Sequence, residues 1–149
     1  MSPSLLSLSL SFYFITKNNQ IIWMISEYIT HGDPAYMALQ PSFTILHPST
    51  TQLISVIDSV QELEYILDPL KIQQKEWIFM PVNDQESDEA GGTHWSLLVF
   101  SKRKNSSTLY DSGSLHPSVG KSSKIAKHLM SYLKYGNENV SHLYIYMSE

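Results

Sequence analysis

The sequence predicts a β-hairpin with a histidine and an aspartate at its open end: His94 directly precedes the first strand, and Asp111 is the last residue of the second. The strands are 95–100 and 107–111, and a charged turn at 101–104 joins them. A four-residue turn places His94 directly opposite Asp111, where paired side chains have Cβ atoms about 4.5–5.5 Å apart. The carboxylate can then accept a hydrogen bond from Nδ1–H of the imidazole. A histidine held in one tautomer by an aspartate is the base and orienter of a nucleophilic triad.

The same residues also permit other interpretations. The His/Asp pair can instead be a surface contact that only stabilises the hairpin. Ser112 adjoins Asp111, so it cannot also reach the second nitrogen of His94, which disfavours a serine hydrolase. A metal site of His94, Asp111 and His116 has no predicted geometry for its third ligand. The acidic loop at 84–89 lacks the spacing of an EF-hand, so we expect a solvated loop, no metal and no cofactor.

Length and composition restrict the class of protein. The 149 residues suit one domain, and 42% hydrophobic with 11% aromatic residues exclude a disordered chain. The formal net charge of −4 offers no basic surface for nucleic acid or an anionic membrane, so neither is expected as a partner. The absence of cysteine excludes disulfides, thiolate zinc sites and a thiol nucleophile. No apolar run has the length of a membrane span, and we expect a cytoplasmic or nuclear protein.

The first half of the chain predicts helices. Residues 1–19 are rich in Ser and Leu and are expected to form an atypical leader, followed by a helix that ends near 31–34. Capping boxes that begin at Ser49 and Ser59 predict two short helices, the second closed by Pro69.

The second half predicts a sheet and one further helix. An apolar run at 77–82 precedes the hairpin as a strand. A helix capped by Ser122 or Ser123 and stopped by Gly136 follows, and a last strand is expected at 143–147. Helices that precede strands are typical of an α+β domain.

Several segments resemble the ubiquitin-like-protein-specific cysteine proteases, and within that family the deneddylases, which remove the modifier Nedd-eight. The similarity covers residues 20 to about 135. It is carried by Met-Pro-Val-Asn-Asp at 80–84, Gly-Gly-Thr-His-Trp-Ser-Leu-Leu-Val-Phe at 91–100, Tyr-Asp-Ser at 110–112, and shorter matches at 21–22, 27–28, 67–70 and 124–133.

The resemblance implies a papain-like α+β fold whose His-Asp-Cys triad cuts after the Gly-Gly tail of a ubiquitin-like modifier. It implies that His94 is the general base, that Asp111 orients it, and that Trp95 forms one wall of the channel for the glycine tail. Upstream, 16–19 replaces a Trp-Leu-Asn-Asp stretch that borders the channel in the family, and Asn18 is the substrate-binding residue retained there.

The family also has an oxyanion-hole glutamine and an Asp-Cys-Gly nucleophile after the aspartate, and this sequence has neither. We therefore expect 20–149 to be the N-terminal part of a protease domain, with an incomplete papain-like fold that lacks the nucleophile helix. The expected function is that of an inactive fragment of a deneddylase-like protease, whose partners are a ubiquitin-like modifier and its conjugates. Two alternatives stay open, a module that binds the modifier without cutting it and a transcript product with no stable role.

Overall fold

The fold is taken from a computed structural model. The structure describes residues 42–85, 92, 94–111, 117–134 and 143–147, and the single positions 31, 32, 34 and 38. The expected leader at 1–19 and the expected helix at about 20–29 lie outside the described residues.

A five-stranded mixed sheet forms the centre of the described structure, with the strands in chain order across it. The two central pairings are antiparallel and the two outer pairings are parallel. The strands at 77–82, 95–100, 107–111 and 143–147 are confirmed to within one residue at each end, whereas the short first strand was not predicted. The strands are β1 Phe43–Ile45, β2 Trp77–Asn83, β3 Trp95–Ser101, β4 Ser106–Asp111 and β5 Leu143–Met147.

Three α-helices accompany the sheet, α1 Pro48–Val56, α2 Val60–Leu67 and α3 Pro117–Tyr132. The capping prediction for α2 is confirmed, because the Ser59 hydroxyl accepts from the backbone N–H of Glu62 at 3.4 Å. Two turns of 3₁₀ helix, Asp68–Leu70 and Ile72–Gln74, connect α2 to β2. The architecture is the α+β class that the sequence predicts.

Two predicted helix starts are wrong. The N-cap of α1 is His47 rather than Ser49, because Nδ1 of His47 accepts from the Ser49 N–H at 3.1 Å and Pro48 occupies the first turn. Likewise, α3 begins at Pro117, and Ser122 lies fully buried inside the helix instead of capping it. In both cases a proline with its φ already fixed starts the helix before the serine does.

The helices cover one face of the sheet and bury most of the core there. Alternation along β2 and β3 directs Ile78, Met80, Leu98 and Phe100 to this face, and each is 0–1% exposed. The residues that the helices contribute to the core cluster are Ile54, Leu63, Leu67, Ile125, Ala126, Leu129, Met130 and Tyr132.

Among the described residues, no helix is long and apolar enough to cross a membrane.

The C-terminal end of α3 is anchored by a buried tyrosine. The Tyr132 hydroxyl donates to Oδ1 of Asp68 at 2.8 Å and also contacts Nε2 of Gln73. Burial and, secondly, the hydrogen bond to Asp68 raise the pKa of Tyr132 far above its ordinary value. The hydroxyl therefore stays protonated and ties α3 to the 3₁₀ turns that lead into β2.

The predicted hairpin is confirmed, but its register is not. The turn occupies 102–105 instead of 101–104, so Ser101 pairs with Ser106. The reason is Asn105, which takes a left-handed conformation with φ 47°, a conformation that asparagine tolerates better than most residues. Since the pairing shifts by two residues, every side chain keeps its predicted face.

Candidate active site

His94 and Asp111 meet at the open end of the β3–β4 hairpin. His94 directly precedes β3, and Asp111 is the last residue of β4. Nε2 of the imidazole contacts Oδ1 of the carboxylate. The expected contact is therefore present, although the two residues are diagonal neighbours rather than directly opposite. The ring nitrogen is also Nε2, not the Nδ1 that a directly opposed pair predicts.

The two side chains differ in their exposure to solvent. The Asp111 side chain is 0% exposed, whereas that of His94 is 28% exposed. A buried carboxylate needs hydrogen-bonded partners to offset its lost hydration, and the imidazole supplies one. In this arrangement Nε2–H donates to Asp111, which leaves Nδ1 as the basic nitrogen. An imidazole held in one tautomer by a buried carboxylate can accept a proton at its other nitrogen.

The backbone of His94 is held by the turn that follows β2. The N–H of Asp84 donates to the carbonyl of His94 at 3.1 Å, and the N–H of His94 donates to Oδ1 of Asp84 at 3.2 Å. The Asn83 amide adds a longer contact from Nδ2 to the same carbonyl at 3.4 Å, while its Oδ1 accepts from the N–H of Gln85 at 2.9 Å. The turn therefore fixes where the chain enters β3, and with it the position of the imidazole.

Gly92 packs closely against this turn because it has no side chain. Its φ is +85°, a conformation that strains other L-residues, and a Cβ added there would lie 2.0 Å from Oδ1 of Asn83. The close packing of Gly92 on Asn83 requires glycine at this position. This is a structural reason for the second glycine of the Gly-Gly-Thr-His segment.

The other predicted site residues are placed only in part. Trp95 is half-buried and pairs with Asn83 across β2 and β3. By strand alternation it belongs to the sheet face opposite the helices. Asn18, Ser112 and His116 lie outside the described residues. The catalytic roles of His94 and Asp111 and the substrate-binding roles of Trp95 and Asn18 therefore stay predictions.

Acidic and imidazole side chains do not cluster into a metal site within the described part of the chain, where no group of three or more His, Cys, Asp or Glu side chains could hold an ion. Part of the acidic loop is described, and Asp84 there holds the His94 N–H. That carboxylate thus has a role in the site, which the expectation of a purely solvated loop missed.

Residues 49–145 match the model of the Ulp1 protease family, C-terminal catalytic domain. The matched segment is more than half of the chain and includes both His94 and Asp111. The chain belongs to the Ulp1 protease family. The fold described above is accordingly a Ulp1-family fold, as the resemblance in the sequence implied.

Curated relatives include proteins named sentrin-specific protease 8 and NEDD8-specific protease 1. Sentrin-specific protease 8 of Mus musculus is 34% identical over 116 residues, which cover 78% of this chain and 51% of the relative. The human protein of the same name is 34% identical, with 78% and 53% covered. NEDD8-specific protease 1 of Arabidopsis thaliana is 34% identical over 73 residues, which cover 48% of this chain and 32% of the relative. The chain spans about half the length of the sentrin-specific proteases that it matches.

Solved structures show the same fold. The Ulp1 SUMO protease with its catalytic cysteine oxidised to a sulfinic acid superposes with a TM-score of 0.61 at 20% identity, covering 92% of this chain and 60% of that chain. The Ulp1 protease domain in complex with SMT3, the yeast ortholog of SUMO, gives the same score, identity and coverage. These proteins support the Ulp1 fold assignment.

Sequence reasoning missed the residues that hold the His94 backbone. An Asn-Asp pair directly after an apolar strand is a turn signal, and it could have predicted a fixed turn at Asn83 and Asp84. Their bonds to His94 join residues separated by nine and ten others, which no local pattern reveals. Gly92 carries the same kind of signal, since a glycine in a loop commonly marks a backbone conformation that other residues avoid.

Proposed function

We propose that this chain supplies the general-base half of a protease site that acts on ubiquitin-like modifiers. The observation that carries the proposal is the contact between the partly exposed His94 and the buried Asp111, at the end of a hairpin inside the segment that matches the Ulp1 family. In this role Asp111 fixes the imidazole tautomer, and Nδ1 of His94 takes the proton of a thiol nucleophile.

The substrate class follows from the relatives. Proteins named Sentrin-specific protease 8 and NEDD8-specific protease 1 share 34% of aligned residues with this chain, and a Ulp1 domain has been solved in complex with SMT3. We propose a ubiquitin-like modifier as the partner, with NEDD8 as the preferred one. Trp95, adjacent to His94, forms one wall of the channel for the modifier's glycine tail in this proposal.

The chain by itself is proposed not to cleave. The sequence has no cysteine, so no thioester intermediate can form on it. A His/Asp pair without a thiol can only assist attack by water, which is a far weaker route. We therefore expect this chain to bind the modifier without hydrolysing it.

Two measurements on the purified chain test this proposal. NEDD8 with a fluorogenic C-terminal group should give no turnover, and ¹⁵N-labelled NEDD8 titrated with the chain should show shifts concentrated at its glycine tail. Ubiquitin and SUMO are the specificity controls, and Trp95→Ala should weaken binding whereas the exposed Tyr65→Ala should not. Turnover that His94→Ala abolishes contradicts the expected inactivity. A folded chain that binds none of the three modifiers contradicts the proposed partner class.

A further inference from the structure

Lys121, on the helix that packs beside the site, places its ammonium group among three oxygen acceptors. Nζ donates to the carbonyl of Asn83 at 3.0 Å and to the carbonyl of Gln85 at 2.6 Å. It also donates to Oε1 of Gln52 on α1. One side chain from α3 thus joins both ends of the Asn83–Gln85 turn to the neighbouring helix.

The far side of the same turn holds the backbone of His94. Asp84 exchanges two hydrogen bonds with His94, and Asn83 adds a third contact. The path from Lys121 to His94 therefore passes through a single three-residue turn. A shift of that turn moves the point from which the imidazole reaches Asp111, and a misplacement of about 1 Å can cost about 10²-fold in rate at a catalytic group.

Lys121 differs from the other lysines of α3. Lys124 pairs at 3.5 Å with Asp58, whose side chain is 79% exposed, and Lys127 is exposed. Lys121 is half-buried and makes several short contacts. Burying an ammonium group is costly unless its donors are satisfied, and three oxygen acceptors satisfy them here. The ammonium group of Lys121 is therefore held in one place, unlike that of a solvated surface lysine.

We propose that Lys121 is a positioning residue for His94. It acts through the Asn83–Gln85 turn and does not touch the imidazole. The importance of this role for catalysis rests on the proposed function, but the effect of Lys121 on the His94 ring can be measured without any activity.

The test compares Lys121→Met with Lys124→Met in the full ¹⁵N-labelled chain. Long-range ¹H–¹⁵N spectra of the imidazole rings report the tautomer of His94 and the exchange of its Nε2 proton, with His94→Gln assigning the signals. Wild type and Lys124→Met should show one tautomer, protonated at Nε2. Lys121→Met should show a mixture of tautomers and Nε2-proton exchange about tenfold faster, because the turn that holds His94 loses a net stabilisation comparable to that of one ordinary hydrogen bond. A folded Lys121→Met chain with wild-type His94 signals overturns the proposal.

A second variant, Lys121→Gln, tests the proposal if the Lys121→Met chain does not fold. Lys121→Gln is too short to reach all three acceptors and should alter the His94 signals in the same direction, so unchanged signals in this folded variant overturn the proposal as well. Asp111→Asn separates the two claims, because it replaces the carboxylate that contacts the ring with an amide that can also donate, which changes the tautomer preference of His94 directly. If Asp111→Asn alters the ring signals while the Lys121 variants do not, the positioning role fails and the proposed base and orienter remain. If Asp111→Asn leaves them unchanged, the proposed pairing itself fails.

Discussion

Asp84 and His94 exchange two hydrogen bonds: the N–H of Asp84 donates to the carbonyl of His94 at 3.1 Å, and the N–H of His94 donates to Oδ1 of Asp84 at 3.2 Å. The carboxylate of Asp84 thereby orients the main chain of the histidine, while the carboxylate of Asp111 contacts its ring. One acidic residue in the turn after β2 therefore holds the backbone of His94, and another at the end of β4 holds its ring. The site is consequently sensitive to small changes in the loop that joins β2 to β3.

Gly92 and Gly120 offer a matched pair of glycine-to-alanine changes. Gly92→Ala should destabilise the chain by about 1–2 kcal/mol or more, because alanine disfavours φ +85° and its Cβ meets Oδ1 of Asn83. Gly120→Ala lies on the exposed side of α3 with no atom within 4 Å of the new Cβ, and should stabilise by about 0.5–1 kcal/mol. Urea unfolding followed by circular dichroism measures both. Equal effects of the two changes contradict the described packing of Gly92.

Tyr132 and Tyr65 form a second matched pair. Tyr132→Phe removes the hydrogen bond to Asp68 from a residue that is 3% exposed and should cost about 1 kcal/mol of unfolding free energy. Tyr65 is 86% exposed, and Tyr65→Phe should stay within about 0.5 kcal/mol of wild type. Unfolding of the two variants in denaturant measures both changes in the free energy of unfolding. A Tyr132→Phe chain as stable as wild type means that the hydroxyl does not anchor α3.

The His47 cap gives a pH-dependent prediction. Burial lowers the pKa of His47 below its ordinary value of 6.5, so the unfolded chain binds the proton more readily than the folded one. The contribution of neutral His47 to the free energy of unfolding is present above pH 6.5. It is lost as the pH falls from 6.5 through the lower pKa that His47 has in the folded chain. Protonation also removes the Nδ1 acceptor of the Ser49 N–H, a cap worth about 1 kcal/mol. Wild type should therefore lose stability between about pH 7 and 5.

His47→Asn is the comparison for that titration. Asparagine caps helices well and does not ionise, so the variant should lose less stability than wild type over the same pH range. Chemical unfolding at several pH values gives the two curves. Parallel curves mean that His47 contributes nothing to the acid sensitivity of the chain.

The sequence predicts elements where a local pattern determines them. Ser59 and Glu62 form a capping box and the structure has that cap, and the apolar runs of β2 and β3 are strands. Ser49 fits the same capping pattern equally well, but Pro48 starts the helix earlier and His47 caps it. Where these two local signals compete, the helix begins at the proline, whose φ is already fixed.

The sequence predicts which residues form the site better than it predicts how they are arranged. His94 and Asp111 share a face because strand alternation survives a shift of two residues, so the sequence predicts their contact. The ring nitrogen involved depends on the diagonal register, which the left-handed Asn105 determines. The link from Lys121 to Asn83 joins residues 38 positions apart and leaves no trace in local spacing.

A chimeric enzyme tests the central claim, that His94 and Asp111 are the base and orienter of a deneddylase-type site. In the chimera, residues 1–134 of this chain are joined to the remainder of mouse sentrin-specific protease 8, which supplies the cysteine that the family pattern places after the aspartate. The measurement is the rate of hydrolysis of fluorogenic NEDD8. We expect turnover that falls about 10²–10⁴-fold with His94→Ala or with Asp111→Asn, and that Lys124→Met leaves unchanged. A folded, NEDD8-cleaving chimera whose rate survives both changes contradicts the assignment.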